Sequence, residues 1–305
     1  MTRTPLPALA LAAVSGRRRW ALDVAREIEK RDYAGIYCAS FGDCVGLCEA
    51  LALVTERIPF GTSIANMYTR HVADYAVTAS LIHELSGGRF RFGIGVSHAP
   101  MNDRLGLVTG RPLADTRSFV ERFHRVPRAG ELPPLVLAGL RKRMVALAGE
   151  IAEGLVFANA ARSHLRSSLE VLPDDQRRSP DFFIGNMIPT CISDDEKAAA
   201  AVSRRTLTGY ISMPNYRNYW KEAGYVEEME AVEGVLEKRE YDRLGACVSD
   251  RLLEDTTLFG SPAKVLEGLE AWYEAGLRTP ILVPSSAVGK RPKAFEEIFA
   301  LFDAR

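Results

Sequence analysis

The chain has 305 residues, 47% of them hydrophobic and 26% charged, a composition that belongs to a soluble globular protein of one or two domains. Lysine and arginine total 39 and aspartate and glutamate total 39, so no net charge draws the chain to nucleic acid or to a membrane surface. That balance favours a small-molecule substrate over a macromolecular partner.

The first twenty residues, MTRTPLPALALAAVSGRRRW, have the look of an export signal. Their apolar run is short, an arginine cluster follows it and no small-residue cleavage site precedes a mature start, so the segment reads as an opening strand and the cytoplasm is the expected compartment. Cysteines stand at 38, 44, 48, 191 and 247 with no CxxC pair. Neither a disulfide framework nor a metal site is expected from that spacing.

Apolar runs and amphipathic patterns then alternate along the chain. Strands are predicted at 9–14, 35–40, 58–67 and 89–95. Helices are predicted at 17–32, 44–57 and 72–86, the third capped by Gly87 and Gly88. The second half continues with a helix at 114–126, a strand at 133–139, a helix at 140–153 and strands at 154–160 and 181–192. A mostly helical stretch from about 194 to 276 precedes the last strand, 279–286, and the last helix, 295–304. Eight short, nearly all-apolar strands, each followed by helix, predict a parallel sheet covered on both faces. At this length a closed (β/α)8 TIM barrel accounts for them, with 194–276 as a helical excursion before the last strand and residues 1–305 as a single domain. An open doubly wound sheet would be expected to open its first helix with GxGxxG, and the chain has VSGRRRW there.

In a barrel, chemistry gathers where strands end and βα loops begin. The predicted strands end in GTSIANMYTRH, GIGVSHAP, LAGLRKR, ANA and VPSS. These endings are small and hydrogen-bonding, as the floor of a cavity would be. LAGLRKR adds a charge conflict. Arg141, Lys142 and Arg143 sit at the start of a helix, whose end carries partial positive charge, and each cation there costs roughly 0.3–1 kcal/mol. An anion bound on the helix end beyond Gly139 would remove the conflict. Pairing of these cations with Glu150 and Glu153 is the alternative.

Four segments, TERIPFGTSIANMYTRH, LSGGRFRFGIGVSHAPM, PPLVLAGLRKRMVALAGEIAEGLVF and GSPAKVLEGLEAWYEAGLRTPILVP, occur in the order found in one family. With them the chain resembles the luciferase-like monooxygenase superfamily and, within it, the oxidoreductases that use the deazaflavin coenzyme F420. The segment ISMPNYRNYWKEAGY is similar to an excursion found in actinobacterial members. The resemblance implies a barrel that holds the cofactor ring at the C-terminal strand ends. It implies a non-prolyl cis peptide between Ser63 and Ile64, followed by Ala65, behind the ring. It matches Gly95, Val96 and Ser97 to the loop beside ring and substrate, and Ala138, Gly139, Leu140 and Arg141 to a phosphate loop. Homodimerisation is expected by the same analogy.

Some residues depart from the pattern. The sugar-phosphate dehydrogenase branch pairs a histidine in the second strand with a glutamate in the fourth. Here CASFGD supplies Ser40 and Phe41, and His98 stands at the glutamate position, so glucose-6-phosphate oxidation is not expected. An unperturbed imidazole titrates near pH 6.5, which makes His98 the candidate proton donor. Asn66, Tyr68 and Asn159 project from strand ends as candidates for ring edges or substrate. His71 is read as a helix-terminal residue, and His83 as structural. The aromatic run NYRNYW (215–220) either covers the substrate or clamps the excursion. The expected activity is F420-dependent hydride transfer between the deazaflavin and an unidentified small organic substrate. The alternatives are an FMN-dependent luciferase-like monooxygenase on the same fold and a non-catalytic barrel that binds the cofactor.

Overall fold

A computed structural model describes residues 5–40 and 42–303; Phe41, noted above for the departure in the second strand, and the first four residues of the signal-like segment lie outside the described residues. All eight predicted apolar runs become strands. They are β1 (Ala8–Leu11), β2 (Ile36–Cys38), β3 (Phe60–Thr62) with β4 (Ala65–Asn66), β5 (Phe90–Gly95), β6 (Leu135–Ala138), β7 (Gly154–Ala158), β8 (Phe183–Ile192) and, after a short β9 (Leu258–Gly260), β10 (Thr279–Ser285). The order is β10-β1-β2-β3-β5-β6-β7-β8-β9, with β4 also on β5 and β10 also on β8. That last pairing closes the sheet, and the fold is a (β/α)8 barrel.

Two features differ from the sequence reading. The third run is interrupted after Thr62 and resumes at Ala65 as β4. The helical stretch before the last strand contains β9, whose Leu258, Phe259 and Gly260 pair with Thr190, Cys191 and Ile192 of β8. Three residues are too few to show a period of two, so this strand left no pattern among the helices Glu196–Ile211, Pro214–Glu222, Val226–Glu237, Asp250–Thr256 and Pro262–Glu274.

Contacts divide the chain into two units. One holds Pro5–Val156 with Leu169–Gly185, and the other holds Phe157–Ser168 with the chain from Asn186 onward.

In the first unit β5 sets the pattern. Its alternate residues Phe90, Phe92 and Ile94 are buried on the helix side. Phe92 stacks on Phe123 at 5.6 Å, tilts against Tyr75 at 5.4 Å, and Phe119 closes the cluster. The aromatic groups come from the helices Val72–Leu85 and Pro112–His124, so one strand face binds both. On the other face Arg91 lies over the ring of Phe183, which also meets Tyr37 at 5.1 Å. Burial pushes the Tyr37 hydroxyl up to about 12. The helix before β5 is capped as its residues predict. The His71 imidazole accepts from the Ala73 N–H at its start, and Gly87 and Gly88, both at positive φ, turn the chain so that the Gly88 N–H reaches the His83 carbonyl at 2.9 Å.

All five cysteines are free thiols, four of them buried. Among the described residues no helix is long and apolar enough to cross a membrane.

The Phe92 ring anchors two helices to one strand. Phe92→Ala is expected to lower unfolding stability by about 3–5 kcal/mol in a urea titration, as the loss of a fully buried aromatic does elsewhere; a change below about 1 kcal/mol would show that the cluster closes over the gap.

Candidate active site

Between β3 and β4 the Ser63–Ile64 peptide bond is cis. It falls at the pair to which the family resemblance pointed. The Ser63 N–H donates to the Cys38 carbonyl of β2 at 2.8 Å, and the Thr62 hydroxyl donates to the Gly93 carbonyl of β5 at 2.6 Å. The Cys44 thiol approaches the Ile64 carbonyl at 3.9 Å. After the interruption Ala65 and Asn66 pair with Ile94 and Gly95. The segment is thus held from β2 on one side and β5 on the other.

This packing explains why β5 ends in glycines. A Cβ on Gly93 would land on the Thr62 carbonyl oxygen. One on Gly95 would stand 2.8 Å from the Ala138 Cβ and 3.2 Å from the Ile64 side chain. Ile64, Gly95 and Ala138, three residues from three separate motifs, therefore face one another across a space that admits no further side chain. Close backbone approach of this kind is the use to which glycine is suited. The Ser63 hydroxyl is buried and has no hydrogen-bond partner among the described residues. The side-chain-free glycine backbone and that unpartnered hydroxyl are the two features here that suit the polar edge of a flat ring.

Beyond Gly95 the loop turns through Ser97 at φ 57, and His98 becomes the N-cap of a short helix, Ala99–Arg104. Burial lowers the His98 pKa below 6.5, so its imidazole is neutral near pH 7. Asn66 and Tyr68 turn their polar groups inward. The Asn66 amide donates to Asn102 at 2.8 Å, its oxygen accepts from the Tyr68 N–H at 3.1 Å, and the Tyr68 hydroxyl donates to Asp115 at 2.6 Å. Burial and the Asp115 carboxylate both raise the Tyr68 pKa.

The segment read as a phosphate loop leads from Ala138 into the helix Lys142–Ile151. Arg141 is its N-cap with no side-chain cap, and the first turn contains no acidic residue. The competing explanation for these cations weakens, because Glu150 is paired with Arg117 and Glu153 accepts from the Leu135 N–H. A Cβ on Gly139 would meet the Leu155 side chain at 2.6 Å, so the loop backbone also lies close against β7.

Asn159 belongs to the second unit. It is buried at φ 54, and its carbonyl accepts from the Trp220 indole at 3.3 Å. The Tyr219 hydroxyl accepts from the Ala161 N–H. The NYRNYW aromatics therefore clamp their helix to the end of β7 rather than stand open to a substrate. Sequence reasoning missed Asn102 and Cys44 as neighbours of the site; neither stands in a motif that would reveal its partners.

Residues 12–279 match the luciferase-like monooxygenase family. The chain belongs to that family. A Mycobacterium tuberculosis protein, provisionally named a coenzyme F420-dependent oxidoreductase, is 23% identical to it over 280 residues, 76% of this chain and 81% of the relative. The 5,10-methylenetetrahydromethanopterin reductase of Archaeoglobus fulgidus is 22% identical over 272 residues, 80% of this chain and 81% of the relative. Among solved structures, the F420-dependent tetrahydromethanopterin reductase of Methanopyrus kandleri matches with a TM-score of 0.74 at 16% identity, covering 96% of this chain and 97% of that one. An F420-dependent secondary alcohol dehydrogenase holding an F420-acetone adduct matches at 0.75 and 15%, covering 98% and 99%. The FMN-bound oxygenating component of the 3,6-diketocamphane monooxygenase of Pseudomonas putida matches at 0.60 and 16%, covering 98% and 95%. The luciferase-like barrel is common to all three.

The space between Ile64, Gly95 and Ala138 is so tight that the methyl of Gly95→Ala forces its walls apart. The expected cost is about 1–3 kcal/mol in thermal or urea unfolding, typical of an overpacked site. Unchanged stability would mean that the walls yield freely.

Proposed function

We propose that this member of the family is an F420-dependent oxidoreductase acting on a small organic molecule in the cytoplasm, and that residues 1–305 work as one barrel domain. The observation that carries the reading is the close meeting of Ile64, Gly95 and Ala138 beside the unpartnered Ser63 hydroxyl, with the uncapped, cation-rich helix start next along the chain. The names of relatives in sequence and in fold support the choice of F420.

When bound, the deazaflavin supplies two-electron hydride chemistry. The chain supplies the rest. The cis segment at Ser63, Ile64 and Ala65 backs the ring, and Gly95, Val96 and Ser97 let it lie against the backbone. Ala138, Gly139 and Leu140 bring backbone to the phosphate, and Arg141 adds charge to the helix end. His98, neutral near pH 7, accepts a proton when the substrate is oxidised and returns it in the reverse direction. Asn66 and Tyr68 act by positioning, since their polar groups are bound within the protein.

FMN is the second reading, because the diketocamphane enzyme shares the fold and carries that cofactor. Titration of the protein with oxidised F420 and with FMN, followed by tryptophan fluorescence, separates the two. The expected result is preference for F420, weakened about tenfold or more by Arg141→Glu through loss of a charge-assisted contact. Preference for FMN would move the protein to the monooxygenase branch, and binding of neither would remove the redox reading.

We also propose a homodimer. Val77, Leu81 and Leu85 recur every fourth residue on the helix Val72–Leu85 and are exposed, as is Leu53 on the preceding helix, Cys44–Val54. A stripe of that kind marks an interface more often than free surface. Light scattering is expected to give twice the chain mass, and Leu81→Glu to halve it; a monomeric parent protein would contradict the proposal.

A further inference from the structure

Asn102 is the one buried residue of the helix Ala99–Arg104, 3% exposed in a segment otherwise open to solvent. Both ends of its amide are used. Its Nδ2 donates to the Val96 carbonyl at 2.9 Å, and its Oδ1 accepts from the Asn66 Nδ2 at 2.8 Å. Asn66 is itself fixed, because its backbone carbonyl accepts from the Tyr75 hydroxyl at 2.7 Å and from the Thr69 hydroxyl at 2.8 Å. One buried amide therefore bridges the segment after the cis peptide and the loop that ends in His98.

The bond to Val96 has a particular consequence. The Val96 carbonyl belongs to the peptide plane that connects to Ser97, so holding its oxygen fixes the orientation from which Ser97 takes φ 57. The left-handed region is sparsely populated by serine, because its Cβ crowds the backbone there. A partner that holds the plane in place is what keeps such a residue in that region. His98 follows directly, and the direction of its imidazole depends on that turn. The Asn102 backbone N–H closes the arrangement by donating to the His98 carbonyl at 3.0 Å.

We infer that Asn102 is a positioning residue: through the Val96 carbonyl it holds Ser97 in its left-handed turn and so sets the direction of His98. The consequence for chemistry rests on the F420 reading; the consequence for His98 does not.

The test uses the full chain. Asn102→Ala removes both arms. Asn102→Asp keeps the shape and the acceptor for Asn66 but, when ionised, has no N–H for Val96, so it remains informative should the alanine variant fold poorly. Histidine side-chain NMR on the cofactor-free protein follows the His98 titration. Both variants are expected to move it up toward 6.5 as the imidazole leaves its buried setting. Ser97→Gly, which tolerates positive φ without help, is expected to restore the lowered value when combined with either substitution. With F420 added, Asn102→Ala is expected to weaken binding about tenfold, the order set by losing two buried hydrogen bonds. An unchanged His98 titration in both variants, or a shift that Ser97→Gly leaves in place, would overturn the inference, since an amide that only packs its helix would give that result. Failure of the parent protein to bind F420 would strike the functional reading while the NMR result still decides the role of Asn102.

Discussion

The architecture of this site depends on a restriction at the end of β5. The helix-facing positions of that strand carry the largest side chains available, Phe90 and Phe92, and bind two helices through an aromatic cluster. The opposite positions, Gly93 and Gly95, carry none, because the backbone of Thr62, the side chain of Ile64 and the methyl of Ala138 already occupy the space where a Cβ would stand. Bulk on one face and its absence on the other are parts of the same arrangement. The aromatic cluster holds the strand so close to its neighbours that only glycine fits at these two positions.

Charge acts around this site in two different ways. At the helix Lys142–Ile151 the protein gathers cations at a helix end that already carries partial positive charge, while nearby Glu150 and Glu153 have other partners. The arrangement is unfavourable in isolation and suits a phosphate. At His98 burial works in the other direction, keeping the imidazole neutral. One part of the site thus concentrates positive charge, and another keeps a titratable group uncharged.

Much of the fold was legible in the sequence because a strand buried on both faces leaves a continuous apolar run, and eight such runs survive any error in their ends. β9 was not legible, since three residues among long helices carry no period. The uncapped, cation-rich start of the helix Lys142–Ile151 was legible as a local conflict that needs no knowledge of distant residues. The cis bond at Ser63–Ile64 left no mark in composition or periodicity and was reached only through likeness to a family. Asn102 and Asn159 show where single-sequence reading stops. Both are polar residues just past strand ends, and what separates them is which partner folds over them: Asn66 from 36 residues back in the first case, and Trp220 from 61 residues ahead in the second. Partners at that separation are chosen by tertiary packing, not by local pattern.

On this reading the ring of a deazaflavin lies against the packed segment made by Ser63, Ile64 and Gly95. A crystal structure of the protein soaked with oxidised F420 tests it most directly. The account predicts ring density against the Ser63–Ile64 peptide and Gly95, with the phosphate at Gly139–Arg141. Density at another place on the barrel, or a ring turned away from Gly95, would contradict it.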